Sequence, residues 1–348
     1  MSRPGGNAGF LSDKQVDLIA TRLAERLSTP GSANASTAAT HNAPAIVSND
    51  VLGEGVFATV DDAVRAAAAA YRELDGMSLE GRQKIIASIR ETMTEHAEEL
   101  ARHAHSETGL GRYEHKVIKN RLVTRKTSGT EVLTPHAVTG DNGLTLTEYA
   151  PYGVIGAITP TTNPTSTIIC NTIAMLSAGN SIVFNVHPNA RECSMANVRL
   201  LHRAIIRGGG PANLVTTVAE PSIESAQALM GHKGVRLLAV TGGSGVVRQA
   251  MTSGKRAICA GPGNPPVVVD ATADLAHAAR SIIAGASFDN NIVCVDEKEV
   301  IAVESIVGEL LQQMKRQGAY LLTEGELHRI EQAIFHEQRG PRQRAVVE

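Results

Sequence analysis

The four cysteines of the chain differ in their surroundings, and Cys294 has the most polar ones. It follows the sequence SFDNN, at a break between a helical pattern and a strand pattern. A thiol in a polar, accessible position can act as a nucleophile through its thiolate form. Cys170 and Cys259 lie in apolar runs, which predict buried core residues. Cys193 opens a predicted helix, where a lowered thiol pKa and a simple surface position are both open. Local context alone leaves Cys294 either nucleophilic or structural.

Three polar loops follow predicted strands and precede predicted helices. Because the carboxyl ends of parallel strands lie at one edge of a sheet, these loops should line that edge, where such folds bind ligands. The loops read TPTTNPTST (159–167), NVHPNA (185–190) and TGGSG (241–245).

Each loop offers a different kind of group. Asn163 carries the amide of the first loop, and an amide can donate to a developing oxyanion or cap a helix. In the second loop, His187, Pro188 and Asn189 could hold a ribose or an adenine edge, or form an exposed turn. The third loop places glycine N–H groups at the start of a helix, which suits a phosphate or a carboxylate. It is neither G-x-G-x-x-G nor a P-loop.

Short apolar strands that alternate with helices position these loops. This alternation is typical of a mostly parallel sheet covered by helices on both faces, so the sequence predicts an α/β fold. The predicted strands cover 154–159, 181–186, 213–218, 235–241 and 267–270, and the helices lie near 164–177, 190–206, 222–230 and 244–253.

Upstream of the strands the pattern is helical. Thr59 is the predicted N-cap of an Ala-rich helix over 60–74, and a single long amphipathic helix is predicted over 78–108, ended by Gly109. An Asn-Gly pair predicts a hairpin near 137–149.

The first part of the chain reads as a separate segment. Residues 10–27 predict an amphipathic helix, and residues 28–45 are small and polar, as in a flexible linker. Such a helix either docks on a partner or folds back onto its own domain, and docking is the favoured interpretation.

Composition excludes several classes of function. The 33 basic and 35 acidic residues nearly balance, so nothing predicts a nucleic-acid or anionic-membrane partner. No apolar run reaches the ~18 residues of a membrane helix, and the start lacks a secretory signal. Unpaired cysteines predict a reducing cytoplasmic setting. His103 and His105 are spaced i,i+2 and point apart on a helix, so no metal site is predicted.

From about Gly55 onward, the chain resembles the aldehyde dehydrogenase superfamily, especially the CoA-acylating propionaldehyde and acetaldehyde dehydrogenases of bacterial microcompartments. The resemblance implies a Rossmann-type parallel-sheet cofactor domain over 46–258 and an incomplete α/β catalytic domain over 259–348. The motifs that carry it are ETGLGRYEHKVIKN (107–120), GDNGLTLTEYAPYGVIGAITPTTNPTSTIICNTI (140–173), GGPANLVTT (209–217), AGPGNPPVVVD (260–270) and SFDNNIVCVDEKEV (287–300).

Carried over by position, the resemblance makes Cys294 the nucleophile and Asn163 the donor to the oxyanion. It implies NAD as cofactor, with NADP open, and coenzyme A as co-substrate. The cofactor-binding residues it implies are Thr159, Pro160, Thr161, His187, Pro188, Thr241, Gly242, Gly243 and Ser244.

The chain departs from the hydrolytic members of the superfamily in a way that bears on function. Where they carry a glutamate, it reads ICAGPGN, with no carboxylate between Cys259 and Asn264. A thioester awaiting water would lack its general base, which favours acyl transfer to CoA. The expected function is therefore NAD-dependent, CoA-acylating oxidation of propanal or acetaldehyde. The alternatives are a non-catalytic shell-docking or truncated subunit, and a hydrolytic aldehyde dehydrogenase.

The resemblance also implies partners and a location. Residues 1–27 look like an encapsulation peptide that docks cargo onto shell proteins, which would place the protein in a bacterial microcompartment lumen, such as that of propanediol utilization. Family members continue past the position of Glu348, so the chain is expected to be C-terminally truncated and, at full length, a homo-oligomer.

Overall fold

The computed structural model describes residues 51–334. The predicted N-terminal helix and linker lie outside the described residues. The described chain forms two compact units, one of residues 51–267 with 285–299 and one of residues 268–284 with 300–334. The domain boundary expected between residues 258 and 259 stays a prediction.

The larger unit contains a six-stranded sheet in the order β1-β6-β5-β4-β7-β8, and every neighbouring pair is parallel. The predicted parallel α/β arrangement is therefore confirmed. The strands are β1 (Val56–Phe57), β4 (Val154–Ile158), β5 (Ser181–Asn185), β6 (Val215–Val218), β7 (Leu237–Thr241) and β8 (Arg256–Ala260).

The central strands are buried along their whole length, as a sheet covered on both faces requires. Side chains alternate between two cores: Ile182 and Phe184 of β5 belong to one apolar cluster, and Val183 belongs to the other. The helix Val60–Asp75 contributes to both clusters, with Ala70 and Leu74 in the first and Ala63, Val64 and Ala67 in the second. The strands therefore act as the rigid centre from which the loops at their carboxyl ends project.

The helices of the larger unit carry the predicted caps and ends at several positions. Thr59 caps the first helix by accepting the N–H of Asp62 at 3.1 Å, and Gly109 ends the third in the left-handed conformation. These helices are α1 (Val60–Asp75), α2 (Leu79–Glu95), α3 (Ala97–Thr108), α4 (Tyr113–Lys126), α5 (Pro164–Ser177), α6 (Arg191–Arg207), α7 (Ile223–Gly231) and α8 (Ser244–Met251).

The single long helix predicted over 78–108 is wrong, because His96 separates α2 from α3. Its ψ of 10° leaves the helical range. The backbone hydrogen bonds from His96 N–H to Thr92 and from Leu100 N–H to His96 are retained. A chain can thus change direction without glycine or proline when its hydrogen bonds survive the turn.

Two smaller sheets complete the described strands. The predicted hairpin is present as β2 (His136–Gly140) and β3 (Gly143–Thr147), and Gly140 pairs with Gly143. Asp141 and Asn142 therefore form the turn, one residue before the predicted Asn142-Gly143 pair.

The strand predicted at 267–270 does not join the large parallel sheet. It is β9 (Pro266–Val269), which pairs with β10 (Glu299–Ala302) in a sheet of two strands. The remaining described helices are α9 (Leu275–Ala286), α10 (Val307–Arg316) and α11 (Glu324–Ile334). Within residues 51–334, no helix is both long enough and apolar enough to cross a membrane.

The buried ring of Phe184 at the centre of the sheet should dominate local stability. Phe184→Ala is expected to lower the free energy of unfolding by about 3–5 kcal/mol, since it removes a fully buried aromatic side chain. Val138→Ala is the control, because Val138 is 59% exposed on β2 and its loss should change stability by less than about 0.5 kcal/mol. Urea denaturation followed by circular dichroism measures both, and equal losses would contradict this assignment of the core.

Candidate active site

The order of strands in the large sheet is typical of sheets that bind a ligand in a crevice at their carboxyl edge. The chain runs from β4 outward through β5 and β6, then crosses back to place β7 on the other side of β4. At such a switch point, the loops that follow the two adjacent strands diverge and leave a ligand-binding space. The loops 159–163 and 242–243 follow β4 and β7 and flank this crevice, as predicted.

Two threonines of the first loop have buried hydroxyl groups without a hydrogen-bond partner within the described chain. Thr159 and Thr161 are 2% and 6% exposed, and neither buried Oγ1 atom has a hydrogen-bond partner within the described chain. Buried hydroxyl groups are rarely left unsatisfied. The hydroxyl groups of Thr172, Ser181, Ser194 and Thr217 also lack partners within the described chain, so the cofactor role of Thr159 and Thr161 stays a prediction.

The TGGSG loop presents the open start of α8 to the same edge. Gly243 is the N-cap residue, and no side chain caps the helix. A Cβ at Gly243 would meet no atom within 4 Å, whereas one at Gly242 would lie 2.8 Å from Val246 Cγ1. The start of the helix can therefore be approached closely, which suits the phosphate or carboxylate predicted from the sequence.

The NVHPNA loop contains a short 3₁₀ turn that is capped by a side chain of the loop itself. His187 Nδ1 accepts the N–H of Asn189 at 3.1 Å and so caps a single 3₁₀ turn over Pro188–Ala190. Asn185, at the end of β5, is buried and accepts the Ser225 hydroxyl at 2.5 Å. The cofactor role of His187 and Pro188 stays a prediction.

Asn163 precedes α5 and is 8% exposed, but it makes no side-chain cap on that helix. Asn163 thus occupies the N-cap position of α5, but its side chain makes no capping hydrogen bond. Its Oδ1 instead accepts Lys119 Nζ at 2.6 Å, and its Nδ2 donates to Thr162 Oγ1 at 3.1 Å. An amide nitrogen carries two hydrogens, so one N–H of Asn163 remains for a further acceptor.

Lys119 belongs to a buried charge cluster, defined here as Lys116, Lys119 and Asp289. Both lysine Nζ atoms contact Asp289 Oδ2, Lys116 at 3.5 Å and Lys119 more closely. The side chains are 3%, 9% and 0% exposed, so water screens these charges poorly. One carboxylate between two ammonium groups leaves a net positive charge inside the protein.

Asp289 also fixes the loop that leads to Cys294. Its Oδ1 accepts the Arg112 N–H at 2.7 Å, and its own N–H donates to His115 Nδ1 at 2.7 Å. The His115 ring stacks on Phe288 with centroids 4.6 Å apart. The cluster therefore docks the loop onto the first turn of α4.

The backbone of this loop has an unusual conformation. Asp289, Asn290 and Asn291 have φ values of 47°, 57° and 61°, three successive residues in the left-handed region. Asparagine and aspartate adopt this region more readily than other non-glycine residues. Asn291 Nδ2 donates to the backbone oxygens of Ala286 and Glu297, so its side chain closes the loop around Cys294.

Cys294 lies in the turn at the end of this loop and is partly exposed. Asp296 Oδ2 accepts the Val293 N–H at 3.2 Å, which closes the turn from the other side. Gly263 packs against the turn so closely that a Cβ there would lie 2.3 Å from the Cys294 carbonyl oxygen. The thiol thus sits on a braced and accessible turn.

The other cysteines correct three expectations. Cys193 is fully buried, not at the surface, because Glu107 of α3 covers the start of α6 and accepts the Cys193 N–H at 2.8 Å. Burial and then the Glu107 carboxylate raise the pKa of the Cys193 thiol, which excludes the lowered value considered from the sequence. Cys170 and Cys259 are only partly buried, and Cys259 is on an edge strand covered less completely than the centre.

Burial and neighbouring charges shift the pKa values of all three groups in the cluster. Burial, followed by the charge of Lys116, lowers the pKa of Lys119 to about 8. Burial alone would raise the pKa of Asp289, but the hydrogen bonds from Lys119 and Arg112 outweigh it and hold that pKa below its usual value. Burial also lowers the pKa of Lys116. Lys119 is therefore charged at neutral pH and loses its proton in mildly basic solution.

The sequence motifs contain Lys116, Lys119 and Asp289, but no role was predicted for these three residues. Charged side chains are normally exposed, and Lys119 and Asp289 are 170 positions apart. The signal available was the i,i+3 spacing of Lys116 and Lys119, which places them near one face of α4.

Comparison with known proteins identifies the family. The sequence pattern of the aldehyde dehydrogenase family matches residues 51–329. The chain belongs to the aldehyde dehydrogenase family.

The relatives of the chain within the aldehyde dehydrogenase family include an enzyme of acetaldehyde. The chain is 51% identical over 282 residues to the acetylating acetaldehyde dehydrogenase EutE of Escherichia coli. The aligned residues make up 81% of this chain and 60% of the relative. The chain therefore spans less than two thirds of that enzyme's length.

Two solved structures of family members match this one. A Rhodopseudomonas palustris propionaldehyde dehydrogenase with bound CoA and an acylated cysteine has a TM-score of 0.78 and 49% identity, over 82% of this chain and 66% of that one. A propionaldehyde dehydrogenase from the fucose-utilisation microcompartment of Clostridium phytofermentans has a TM-score of 0.74 and 50% identity, over 78% and 62% of the two chains. The resemblance stated from the sequence is confirmed.

Glycines 109 and 111 allow the docking of the Cys294 loop to be tested with a matched pair. Their φ values are 67° and 68°, so alanine carries the same left-handed penalty of roughly 1–2 kcal/mol at each position. At Gly109 the new Cβ would meet no atom within 4 Å, but at Gly111 it would collide with the Asp289 carboxylate.

We therefore expect Gly111→Ala, and not Gly109→Ala, to release the loop. Hydrogen–deuterium exchange of peptides covering 286–297, read by mass spectrometry, should be faster in Gly111→Ala alone. Equal exchange in the two variants would show that Asp289 does not dock the loop.

Proposed function

We propose that this protein is an NAD-dependent, CoA-acylating aldehyde dehydrogenase that converts propanal or acetaldehyde to the acyl-CoA. The observation that carries the proposal is the buried Asn163 amide, whose Oδ1 is occupied by Lys119 while an N–H remains available. Lys119 also contacts the loop that bears the accessible Cys294. The relatives that act on acetaldehyde or propanal, one of them with bound CoA and an acylated cysteine, support this reading.

In the first step, the Cys294 thiol loses its proton to solvent, and the resulting thiolate attacks the carbonyl carbon of the aldehyde. The carbonyl oxygen becomes an oxyanion, which accepts hydrogen bonds from Asn163 Nδ2 and from a backbone N–H near Cys294. The net positive charge of the buried cluster adds an electrostatic preference for the anionic state. The protein therefore binds the transition state better than the neutral aldehyde.

Thr159, Thr161 and the start of α8 would hold NAD at the crevice, with the hydroxyl groups of the two threonines as its polar partners. The bound dinucleotide supplies the acceptor for the hydride of the aldehyde carbon. The residues of the crevice leave NADP open, since His187 and Pro188 carry no charge that selects against a 2′-phosphate.

The Cys294 thioester is then passed to a thiol and not to water. The segment between Cys259 and Asn264 supplies no carboxylate as general base, whereas a CoA thiol brings its own nucleophile. In that transfer, the bond from the acyl carbon to the CoA sulfur forms and the bond to Cys294 Sγ breaks. Cys294 regains the proton that the CoA thiol loses.

The setting of the reaction is part of the same proposal. The solved relative from a fucose-utilisation microcompartment supports placement in a microcompartment lumen. Residues 1–27 would act as an encapsulation peptide that docks on shell proteins, propanediol utilization is a candidate pathway, and the full-length protein would be a homo-oligomer.

NAD reduction tests the reaction directly. With propanal, the protein should form NADH repeatedly when CoA is present, and propionyl-CoA should be the product detected by mass spectrometry. Without CoA, NADH should stop at about one equivalent per active site, because the acyl group stays on the enzyme. Cys294→Ser should abolish both phases. Free propionate formed at the same rate without CoA would instead support a hydrolytic enzyme, and no NADH in either condition a non-catalytic one.

Asn163→Ala tests the oxyanion role. Loss of one preorganised donor costs ~2.7–4 kcal/mol in transition-state stabilisation, so kcat should fall about 10²–10³-fold. Asn142→Ala, in the exposed turn between β2 and β3, is the control for removal of an amide. An Asn163→Ala variant with near-normal kcat would contradict the assignment.

A further inference from the structure

Asn163 can serve an oxyanion only in one of its two amide orientations, because its oxygen accepts hydrogen bonds and its nitrogen donates them. Both orientations fill nearly the same space, so packing alone does not choose between them. An ammonium group only donates. Lys119 Nζ, 2.6 Å from the amide, therefore requires that Oδ1 face it and that Nδ2 face the opposite way.

Lys119 is itself held from the nucleophile's side. Asp289, five residues before Cys294, accepts a hydrogen bond from Lys119 Nζ. The side chains of Lys119 and Asp289 are 9% and 0% exposed, so water does not compete for this contact. One ammonium group thus joins the amide at the start of α5 to the loop that carries the thiol.

We propose that Lys119 is the positioning residue of the Asn163 oxyanion donor, and that Asp289 fixes its distance from the Cys294 loop. The inference rests on the proposed function and adds a residue to its machinery. The lysine does not touch the aldehyde. It sets the amide flip, and its charge polarises the amide so that Nδ2–H donates more strongly.

Lys116 provides a matched comparison within the same cluster. It lies on the same helix, is buried as fully and contacts the same Asp289 oxygen. Its other contact is the backbone oxygen of Thr162, at 3.4 Å, and not the amide of Asn163. A purely structural need for buried positive charge beside Asp289 applies to both lysines, whereas positioning of the amide applies to Lys119 alone.

Acyl transfer from propionyl-CoA to Cys294 gives a readout that needs no dinucleotide. The bond from Cys294 Sγ to the acyl carbon forms, the bond to the CoA sulfur breaks, and the released CoA takes up the proton of the cysteine thiol. This step passes through the same kind of oxyanion. Its rate is measured by intact-protein mass spectrometry in single turnover.

A double-mutant cycle then separates positioning from structure. Lys119→Met should slow acylation at least about tenfold in the wild-type background, yet less than about twofold in Asn163→Ala, because a lysine that acts through the amide has nothing to act on once the amide is gone. Lys119→Arg should restore part of the rate. Lys116→Met should have the same effect in both backgrounds.

A second measurement does not depend on activity. In protein labelled with ¹⁵N-asparagine, the Asn163 side-chain signal, assigned by its loss in Asn163→Ala, should shift with a midpoint near pH 8 as Lys119 loses its charge. The charged neighbours that set this midpoint are Lys116 on α4 and Asp289 and Asp296 on the Cys294 loop. The shift should vanish in Lys119→Met and in Lys119→Arg, whose guanidinium stays charged.

The outcomes separate this inference from the function on which it rests. No acylation by the wild-type protein would overturn the proposed function, and the oxyanion role of Lys119 with it. If the wild type acylates and Asn163→Ala is slow, an unchanged rate in Lys119→Met overturns the inference alone. So does an equal loss in both backgrounds, or an Asn163 signal that titrates unchanged in Lys119→Met.

Discussion

The contact between Lys119 and Asp289 connects every part of the candidate site. A carboxylate with no exposed surface can stay charged only when other groups replace the water it has lost. Here two ammonium groups from α4 and the backbone N–H of Arg112, the N-cap residue of α4, do so. The loop before Cys294 therefore cannot leave α4 without stranding a charge. Its position is fixed by electrostatics more than by apolar packing.

The large sheet and the buried cluster position different parts of the candidate site. The sheet sets the ends of β4 and β7, and with them the crevice, the two unsatisfied threonine hydroxyl groups and the start of α5 where Asn163 lies. It does not determine where the thiol lies. The position of the thiol depends on α4, because Lys119 of this helix contacts both the Asn163 amide and Asp289 of the Cys294 loop. The Asn163 amide beside the crevice and the loop that carries Cys294 are therefore both held in place by α4.

The sequence predicted the features that depend on local pattern. The α/β fold, most strand and helix positions and the three loops at the carboxyl edge followed from periodicity and from residues such as Thr59 and Gly109, whose effects extend over only a few positions. The break at His96 was missed because no glycine or proline marks it in the local sequence. The backbone hydrogen bonds on both sides of His96 are retained. Cys193 was placed at the surface because the covering Glu107 comes from another helix. The burial of Lys116, Lys119 and Asp289 was invisible for the same reason, since their pairing exists only after folding.

The run of left-handed residues at Asp289, Asn290 and Asn291 limits how this part of the chain can vary. Glycine would adopt the same left-handed backbone with less steric strain. Here each side chain is also needed: Asp289 for the lysines, Asn290 for the Arg112 side chain and Asn291 for two carbonyl oxygens. Relief of conformational strain and retention of the contacts are therefore incompatible at these three positions. Attempts to make the protein more heat-resistant would have to begin elsewhere.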